Sequence, residues 1–205
     1  MSFKIVMNWI AVSALVIAGG YFVWKFTFRS AYESADYLVV VSDGGIQIRD
    51  YPELLLVATS MQPGSGGNDG SFGRLFQYIS GKNDQNKKVA MTTPVFMETR
   101  HDLGPDDRQS KGQMGFVIPR KIAEQKVPGP TNNQVRVRKR PAGRFGVIRF
   151  SGNTAEQKLA DKEVFLRQWL TDHNYKAVGE VELAGYDPPW IPGLFRRNEI
   201  LIRVE

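Results

Sequence analysis

Residues 46–52 read IQIRDYP, and residues 135–141 read VRVRKRP. In each stretch apolar and polar residues alternate before a proline, which is typical of a half-buried β-strand that ends in a turn. An apolar strand follows each time, Leu54 to Thr59 after the first stretch and Phe145 to Phe150 after the second. The two stretches therefore predict a chain whose second half repeats the plan of the first.

The same order of elements continues in both halves. The segment Ser71 to Ser80 places apolar residues at helical spacing and stops at Gly81, and a longer amphipathic helix opens after Ser151. Extended segments follow each helix: Lys88 to Met97 and Gln113 to Pro119, then Lys176 to Leu183 and Glu199 to Val204. The sequence predicts an α+β domain of two similar ββαββ halves, in which an antiparallel sheet carries two flanking helices.

Residues 5–24 read IVMNWIAVSALVIAGGYFVW, an apolar run long enough to cross a bilayer. We expect residues 1–29 to be an N-terminal transmembrane anchor or an uncleaved signal, and residues 30–205 to be one domain. Cleavage near Ala31 is the alternative. The protein is thus expected to be a single-pass membrane protein. Lys4 on one side and Lys25 with Arg29 on the other leave its orientation open.

Composition excludes several classes of function. Lys4, Lys25 and Arg29 contribute half of the formal net charge of +6, so the domain itself has no charge excess that favours a nucleic-acid partner. The chain has no cysteine, which excludes disulfides, a thiolate nucleophile and an iron–sulfur cluster. It also has no nucleophile elbow, phosphate loop, His-Glu-x-x-His string or dinucleotide fingerprint. We therefore expect no catalytic residues and no metal site.

Four local sequences carry a resemblance to a known family. They are GKND at residues 81–84, KVAMTTPV at 88–95, AGYDPP at 184–189 and RRNEI at 196–200. Together and in this order they resemble the SOUL haem-binding protein family, over about residues 35–205. The resemblance implies a distorted antiparallel β-barrel made of two similar halves with two flanking helices.

The resemblance also implies a function, the reversible binding of haem or another tetrapyrrole in a shallow apolar cleft between the first helix and the loop before the last strand. The residues expected there are Arg74, Leu75, Phe76 and Ile79 on the helix, and Pro188, Pro189, Trp190 and Ile191 in the loop. A porphyrin needs apolar faces and a cation near its propionates, and Arg74 is the candidate cation. The alternative is that the helix residues pack on the sheet and that Arg74 is a solvated surface residue.

Axial ligation is where the sequence departs from part of the family. Members proposed to ligate haem through histidine carry it in a Tyr-Glu-Ile-Arg-His-Tyr string, and Asp50 has the histidine's place here. His101 and His173 are expected to be surface residues, and Met91 to fill core space. We therefore expect haem to be bound without a histidine axial ligand.

Two rival functions remain open. The SOUL fold resembles the ligand-binding domains of gyrase-inhibitor-like proteins, some of which use a cleft glutamate, so the chain could be a small-molecule sensor or hydrolase. Glu199 is the residue to suspect, because burial in an apolar strand would raise its pKa. Its alternative is a surface carboxylate paired with Arg196 or Arg197. The other rival function is a membrane-tethered scaffold.

Overall fold

A computed structural model describes residues 32–62, 65, 68–98, 112–188 and 191–205, and the strands in them build one large sheet. In chain order the strands are β1 (Glu33–Ser34), β2 (Leu38–Asp43), β3 (Ile46–Tyr51), β4 (Leu54–Met61), β5 (Thr92–Thr93), β6 (Val95–Glu98), β7 (Gly112–Val117), β8 (Val135–Arg140), β9 (Gly143–Ser151), β10 (Ala177–Gly185) and β11 (Arg197–Val204). The helices are α1 (Ser71–Ile79), α2 (Arg120–Ala123) and α3 (Glu156–Asp172), and a 3₁₀ turn covers Gly193–Phe195.

Nine of these strands form a single antiparallel sheet in the order β2-β3-β9-β11-β10-β6-β7-β4-β8. β1 and β5 form a separate parallel pair. The predicted α+β class, the antiparallel sheet and the helices α1 and α3 are confirmed. The predicted barrel is wrong, because β2 and β8 are the two edges of an open sheet and do not pair with each other.

The order of the strands is symmetric about the boundary between β10 and β6. Counting outward from this boundary, the strands on one side are β10, β11, β9 and β3, and those on the other side are β6, β7, β4 and β8. Each strand thus has a counterpart at the same position on the other side: β10 and β6, β11 and β7, β9 and β4, β3 and β8. Each half therefore contributes four strands in the same arrangement, and β2 is added at one edge. Whether the two halves repeat in sequence stays a prediction.

Two short links force the sheet to curl. Pro52 and Glu53 join β3 to β4, and Pro141 and Ala142 join β8 to β9, yet each pair of strands lies six places apart in the sheet. Six places in a flat sheet would span roughly 29 Å, whereas two linking residues reach at most about 11 Å. The sheet must therefore bend until these strand ends meet, which gives it an inner and an outer face.

Both long helices cover the outer face. α1 packs on β4 and β7, with Leu75, Tyr78 and Ile79 buried, while α3 packs on β9, β10 and β11. On the inner face the apolar core includes Phe96 and Phe145. Each helix therefore has its own core cluster with the sheet, and the inner face has a third.

The predicted membrane location is corrected. The described residues contain no helix that is both long enough and apolar enough to cross a membrane. The predicted anchor, residues 1–29, lies outside the described residues. We therefore withdraw the single-pass location, while the domain boundary at residue 30 stays a prediction.

Leu170 on α3 should be a major contributor to stability. Its side chain is fully buried against β9, where a Cβ added to Gly146 would lie 2.7 Å from Leu170 Cδ2. Replacing Leu170 with alanine leaves a cavity and is expected to lower the free energy of unfolding by about 2–5 kcal/mol in a urea titration. Val164 on the same helix is 69 % exposed, so Val164→Ala is the control and should change stability by less than about 0.5 kcal/mol. Equal effects of the two changes would contradict this packing.

Candidate functional site

A strip of apolar side chains lies on the outer face between the two helices. Val95 and Met97 on β6 and Val181 and Leu183 on β10 are all half-buried. Leu183 is the direct partner of Met97 in the antiparallel register, so the side chains share one face. We call these four residues the seam. It joins the core cluster of α1 to that of α3, at the boundary between the two halves of the sheet.

At one end of the seam, β10 has a glycine, Gly185, and therefore no side chain. Gly185 pairs with Val95 on one side and with Asn198 on the other, and it places no side chain between them. A Cβ added to Gly185 would lie 3.4 Å from Met97 Cε, which is an ordinary van der Waals distance. The missing side chain therefore leaves a shallow depression that a flat ligand could enter.

Two phenylalanines of α1 form the wall of the seam. The rings of Phe72 and Phe76 are stacked, with centroids 6.1 Å apart and planes 14° apart. Phe72 also meets Phe116 edge-on, and Phe116 is the register partner of Val95. Phe76 is 47 % exposed. This flank of α1 thus offers an exposed aromatic surface beside the apolar floor.

Arg74 lies on the opposite flank of α1. Two helical residues rotate the chain by about 200°, so Arg74 points away from the flank of Phe76. Its Nε donates to Thr59 Oγ1 at 3.0 Å and its Nη2 to the Ser60 carbonyl at 2.7 Å, which ties α1 to β4. Arg74 is therefore neither a purely solvated residue nor a member of the seam. Its role towards porphyrin propionates stays a prediction.

The other predicted helix residues are core residues. Leu75 is fully buried and Ile79 is 6 % exposed, and both belong to the cluster between α1 and the sheet. They hold α1 in place, whereas Phe76 is the member of the predicted set on α1 that offers open apolar surface.

The predicted loop residues begin at Pro188, three residues after the end of β10 at Gly185. Pro188 and Ile191 are half-buried, and the Ile191 amide donates to the Pro188 carbonyl at 3.0 Å. Arg196 Nε donates to the Ile191 carbonyl at 2.8 Å. The loop thus leaves the sheet at the Gly185 end of the seam. Pro189 and Trp190 lie outside the described residues.

The described residues around the seam include methionines but no histidine. His173 is exposed at the end of α3, where its ring stacks on Trp169 at 3.9 Å, as expected for a surface residue. His101 lies outside the described residues. Met91 is half-buried against the α1 cluster, as predicted, and Met97 lies on the floor. The described residues around the seam therefore offer thioethers but no imidazole.

The side chain of Asp50 forms an ion pair with Arg144. Its two carboxylate oxygens accept from Arg144 Nε at 2.7 Å and Nη2 at 2.8 Å. The hydrogen bond from Arg144 holds the pKa of Asp50 below its ordinary value. At the place where some family members have histidine, this chain has an ionised, paired carboxylate.

A buried ion pair dominates the inner face. Arg49 Nη1 and Nη2 donate to the two oxygens of Glu199, both at 2.8 Å, and the pair is buried. Glu199 also accepts from Tyr186 at 2.7 Å and from Arg149 Nε at 3.0 Å. The Tyr37 ring centroid lies 4.1 Å from Arg49 Cζ. The carboxylate thus has four donor atoms, from two strands and one loop residue.

These donors decide the charge of Glu199. Burial raises its pKa, but the hydrogen bonds and charge of Arg49, together with Tyr186 and Arg149, outweigh burial, and the pKa lies below its ordinary value. The expectation of a raised pKa is therefore wrong, and so is the alternative pairing with Arg196 or Arg197. Such a carboxylate is a poor general acid or base, because its proton affinity is low and its oxygens are occupied.

A second buried cation occupies the same face. Arg140 Nε and Nη2 donate to Glu182 at 2.9 and 2.7 Å, although β8 and β10 lie four places apart in the sheet. Its Cζ lies 4.2 Å from the Phe145 ring centroid and 4.6 Å from that of Phe96. This contact across the sheet shows that the inner face is concave and filled by its own side chains.

Sequence reasoning singled out Glu199 but missed its partner. Arg49 and Glu199 are 150 residues apart, and nothing local to either strand indicates the other. Along both strands the alternation places Arg49 and Glu199 on the face opposite the isoleucines, so no local signal showed that this face is buried.

Comparison with known proteins places this chain in a family. The sequence profile described as SOUL heme-binding protein matches residues 32–203. The chain therefore belongs to the SOUL family of heme-binding proteins, and the predicted resemblance is confirmed. It is 28 % identical over 128 residues to Heme-binding protein 1 of Bos taurus and 29 % identical over 131 residues to that of Mus musculus. The match covers 62 % of this chain and only 65 % of the bovine protein's length.

Solved structures with the same fold are more distant in sequence. The C-terminal domain of EcmrR is 15 % identical with a TM-score of 0.55, covering 82 % of this chain and 98 % of that domain. A hydrolase from Listeria innocua is 9 % identical with a TM-score of 0.52, covering 81 % and 94 %. At these identities the likeness shows the fold alone.

Replacing Glu199 with glutamine should destabilise the fold. The change removes the partner of a buried guanidinium and is expected to lower the free energy of unfolding by about 3–5 kcal/mol. Because folding lowers the pKa of Glu199, its ionised form stabilises the native state above about pH 4.5, the ordinary value, and this contribution is lost as the pH falls through the folded-state pKa. The variant should therefore lose less stability on acidification than the parent. Urea titrations between pH 3 and 7 measure both effects.

The control for this prediction is Asp50→Asn. Asp50 also pairs with an arginine, but at the surface, so the change should have little effect on stability at neutral pH. A Glu199→Gln protein as stable as the parent would contradict the assignment of a structural ion pair.

Proposed function

We propose that this protein binds haem or a related tetrapyrrole in the seam, without catalysing its turnover. The observation that carries the proposal is the half-exposed apolar floor between α1 and α3, with the stacked rings of Phe72 and Phe76 beside it. Binding pockets for flat apolar ligands are lined by such side chains. Membership of the SOUL family supports the choice of ligand.

The described residues would share the work of binding in the following way. Phe76 would contact the macrocycle, and Val95, Met97 and Leu183 would exclude water from its lower face. Leu75 and Ile79 would fix α1 from below. Pro188 and Ile191 would form the far rim, and Pro189 and Trp190, which were predicted to join them, lie outside the described residues.

Haem, when bound, would supply an iron that takes axial ligands and an intense absorbance band. The thioethers of Met91 and Met97 are the soft donors near the seam, and thioethers ligate haem iron in some proteins. Binding by the faces of the macrocycle does not require either of them. The proposal therefore treats haem and iron-free porphyrin as equivalent ligands.

The rival functions receive less support. A sensor or hydrolase with a cleft glutamate would need a carboxylate that is open to a ligand, and Glu199 is 4 % exposed and fully engaged. The tethered scaffold depended on the membrane location that has been withdrawn. No described observation favours either of them over porphyrin binding.

The full chain is titrated with haemin and, separately, with iron-free protoporphyrin, and binding is measured by absorbance. We expect saturable one-to-one binding of both ligands. Phe76→Ala is expected to weaken both by about tenfold, because it removes the exposed aromatic contact. The matched control is Phe165→Ala, which removes an exposed phenylalanine of α3. Phe165 lies one turn before Trp169, and the Trp169 side chain donates to Asp43 on β2, away from the seam. This control should bind like the parent.

Gly185→Leu is a second test of the same site. It fills the depression without forcing the backbone, so the protein should fold and bind porphyrin at least tenfold more weakly. Gly45→Leu, in the turn before β3, adds the same side chain where a Cβ would meet only the Arg149 carbonyl, at 3.8 Å. If neither ligand binds the parent, or if both seam variants bind normally, the proposal is wrong.

The histidines should be dispensable. His173 contacts Trp169 at the far end of α3, and its Nδ1 lies 2.8 Å from the Trp169 carbonyl. His173→Ala and His101→Ala are therefore expected to keep the position of the haem Soret band and the affinity within about twofold. Loss of the band shift in either variant would identify an imidazole ligand and overturn binding by the macrocycle faces.

A further inference from the structure

A second pocket lies on the flank of α1 that faces away from the seam. It has a volume of about 100 Å³ and lies between α1, the segment that follows it, and the chain leading into β8. Arg74, Gln77 and Lys82 line one side, and Thr131 and Asn132 line the other. We call it the α1–β8 pocket.

The walls of the α1–β8 pocket are fixed by hydrogen bonds. Tyr78 Oη donates to the Pro128 carbonyl at 2.7 Å, and Thr131 Oγ1 donates to the Lys82 carbonyl at 3.2 Å. Asp84 Oδ1 accepts from the Gly129 amide at 2.6 Å. The helix and the opposite segment are thus held together before any ligand arrives, which lowers the entropic cost of binding.

The lining of the pocket is rich in hydrogen-bond donors. It contains two cations, Arg74 and Lys82, and the side-chain amides of Gln77 and Asn132, while no carboxylate is among the residues that line it. Three of the five N–H groups of Arg74 donate to acceptors among the described residues, and no hydrogen bond of the other two is seen there. Lys82 Nζ makes a long contact of 3.4 Å with Gln77 Oε1 and is exposed.

Groups that could repel an anion are turned elsewhere. At the end of α1, the Gln77 carbonyl accepts from the Lys82 amide at 3.0 Å, and the Tyr78 carbonyl accepts from Asn83 Nδ2 at 3.0 Å. The nearby carboxylate of Asp69 accepts from the Ser71 amide at 3.1 Å. Positive charge therefore dominates inside the pocket.

We propose that the α1–β8 pocket binds a small oxyanion, a phosphate or carboxylate group, through Arg74 and Lys82. Arginine and lysine form charge-assisted hydrogen bonds to such groups. A helix is about 10 Å thick, so a ligand here is separated from the seam by α1 itself. This site is independent of porphyrin binding, and either can exist without the other.

Isothermal titration of the full chain with inorganic phosphate, methyl phosphate and acetate tests the proposal, with sodium chloride at equal ionic strength as the reference. Saturable one-to-one binding of phosphate or acetate above the chloride reference is expected. Methyl phosphate distinguishes a site for free phosphate from one that accepts an esterified group. Porphyrin affinity should stay the same with saturating phosphate present.

Lys82→Gln is expected to weaken oxyanion binding by about tenfold or more, because it removes a charge-assisted hydrogen bond. Lys87→Gln removes an exposed cation that does not line the pocket and should bind like the parent. Arg74→Gln should weaken binding further, and Lys82→Gln decides the matter if the Arg74 variant is unstable. Binding no stronger than the chloride effect, or equal binding by Lys82→Gln and Lys87→Gln, overturns the proposal.

Discussion

The two-residue links at Pro52–Glu53 and Pro141–Ala142 are the constraint on which the rest of the structure depends. Each joins strands that lie six places apart, so a flat sheet is impossible and the two ends of the sheet must approach each other. Proline at the first position of each link removes an amide from the ladder and ends the strand there. The concave inner face, the convex outer face and the position of both helices follow from this curl.

The curl explains why charges are buried on the inner face. Arg140 on β8 reaches Glu182 on β10, four places away, because the concave face brings these strands within side-chain length. Arg49 on β3 reaches Glu199 on β11 across the single strand β9. A buried ion pair contributes little more stability than a well-packed apolar pair, but breaking one is costly. The pairs therefore disfavour any shift in strand register that would separate arginine from glutamate.

Local elements could be predicted from the sequence, and long-range contacts could not. Strand alternation and the stop at Gly81, which has a φ of 111°, defined the elements because those signals are local. Sheet closure depends on pairing between β2 and β8, which no local pattern encodes. Arg49, the partner of Glu199, is 150 residues away, so the sequence left a buried and a surface Glu199 both open and could not give the direction of the pKa shift of Glu199. Within the site, helical spacing is enough to predict that Phe76 and Arg74 lie on opposite flanks of α1. The hydrogen bonds of Arg74 to β4 could be seen only in the structure.

The symmetry of the strand order places the seam between the two long helices, where the side chains of the outer face are only half-buried. Each long helix packs on strands of its own half: α3 contacts β10, whereas β6 has no comparable contact with a helix among the described residues. Closing the gap would need large side chains on both strands, yet Gly185 and the flexible Met97 lie there instead. A sheet limits the depth of such a depression, so an occupant must be flat. The porphyrin proposed as the ligand meets this condition, because it is flat and would be held by its faces.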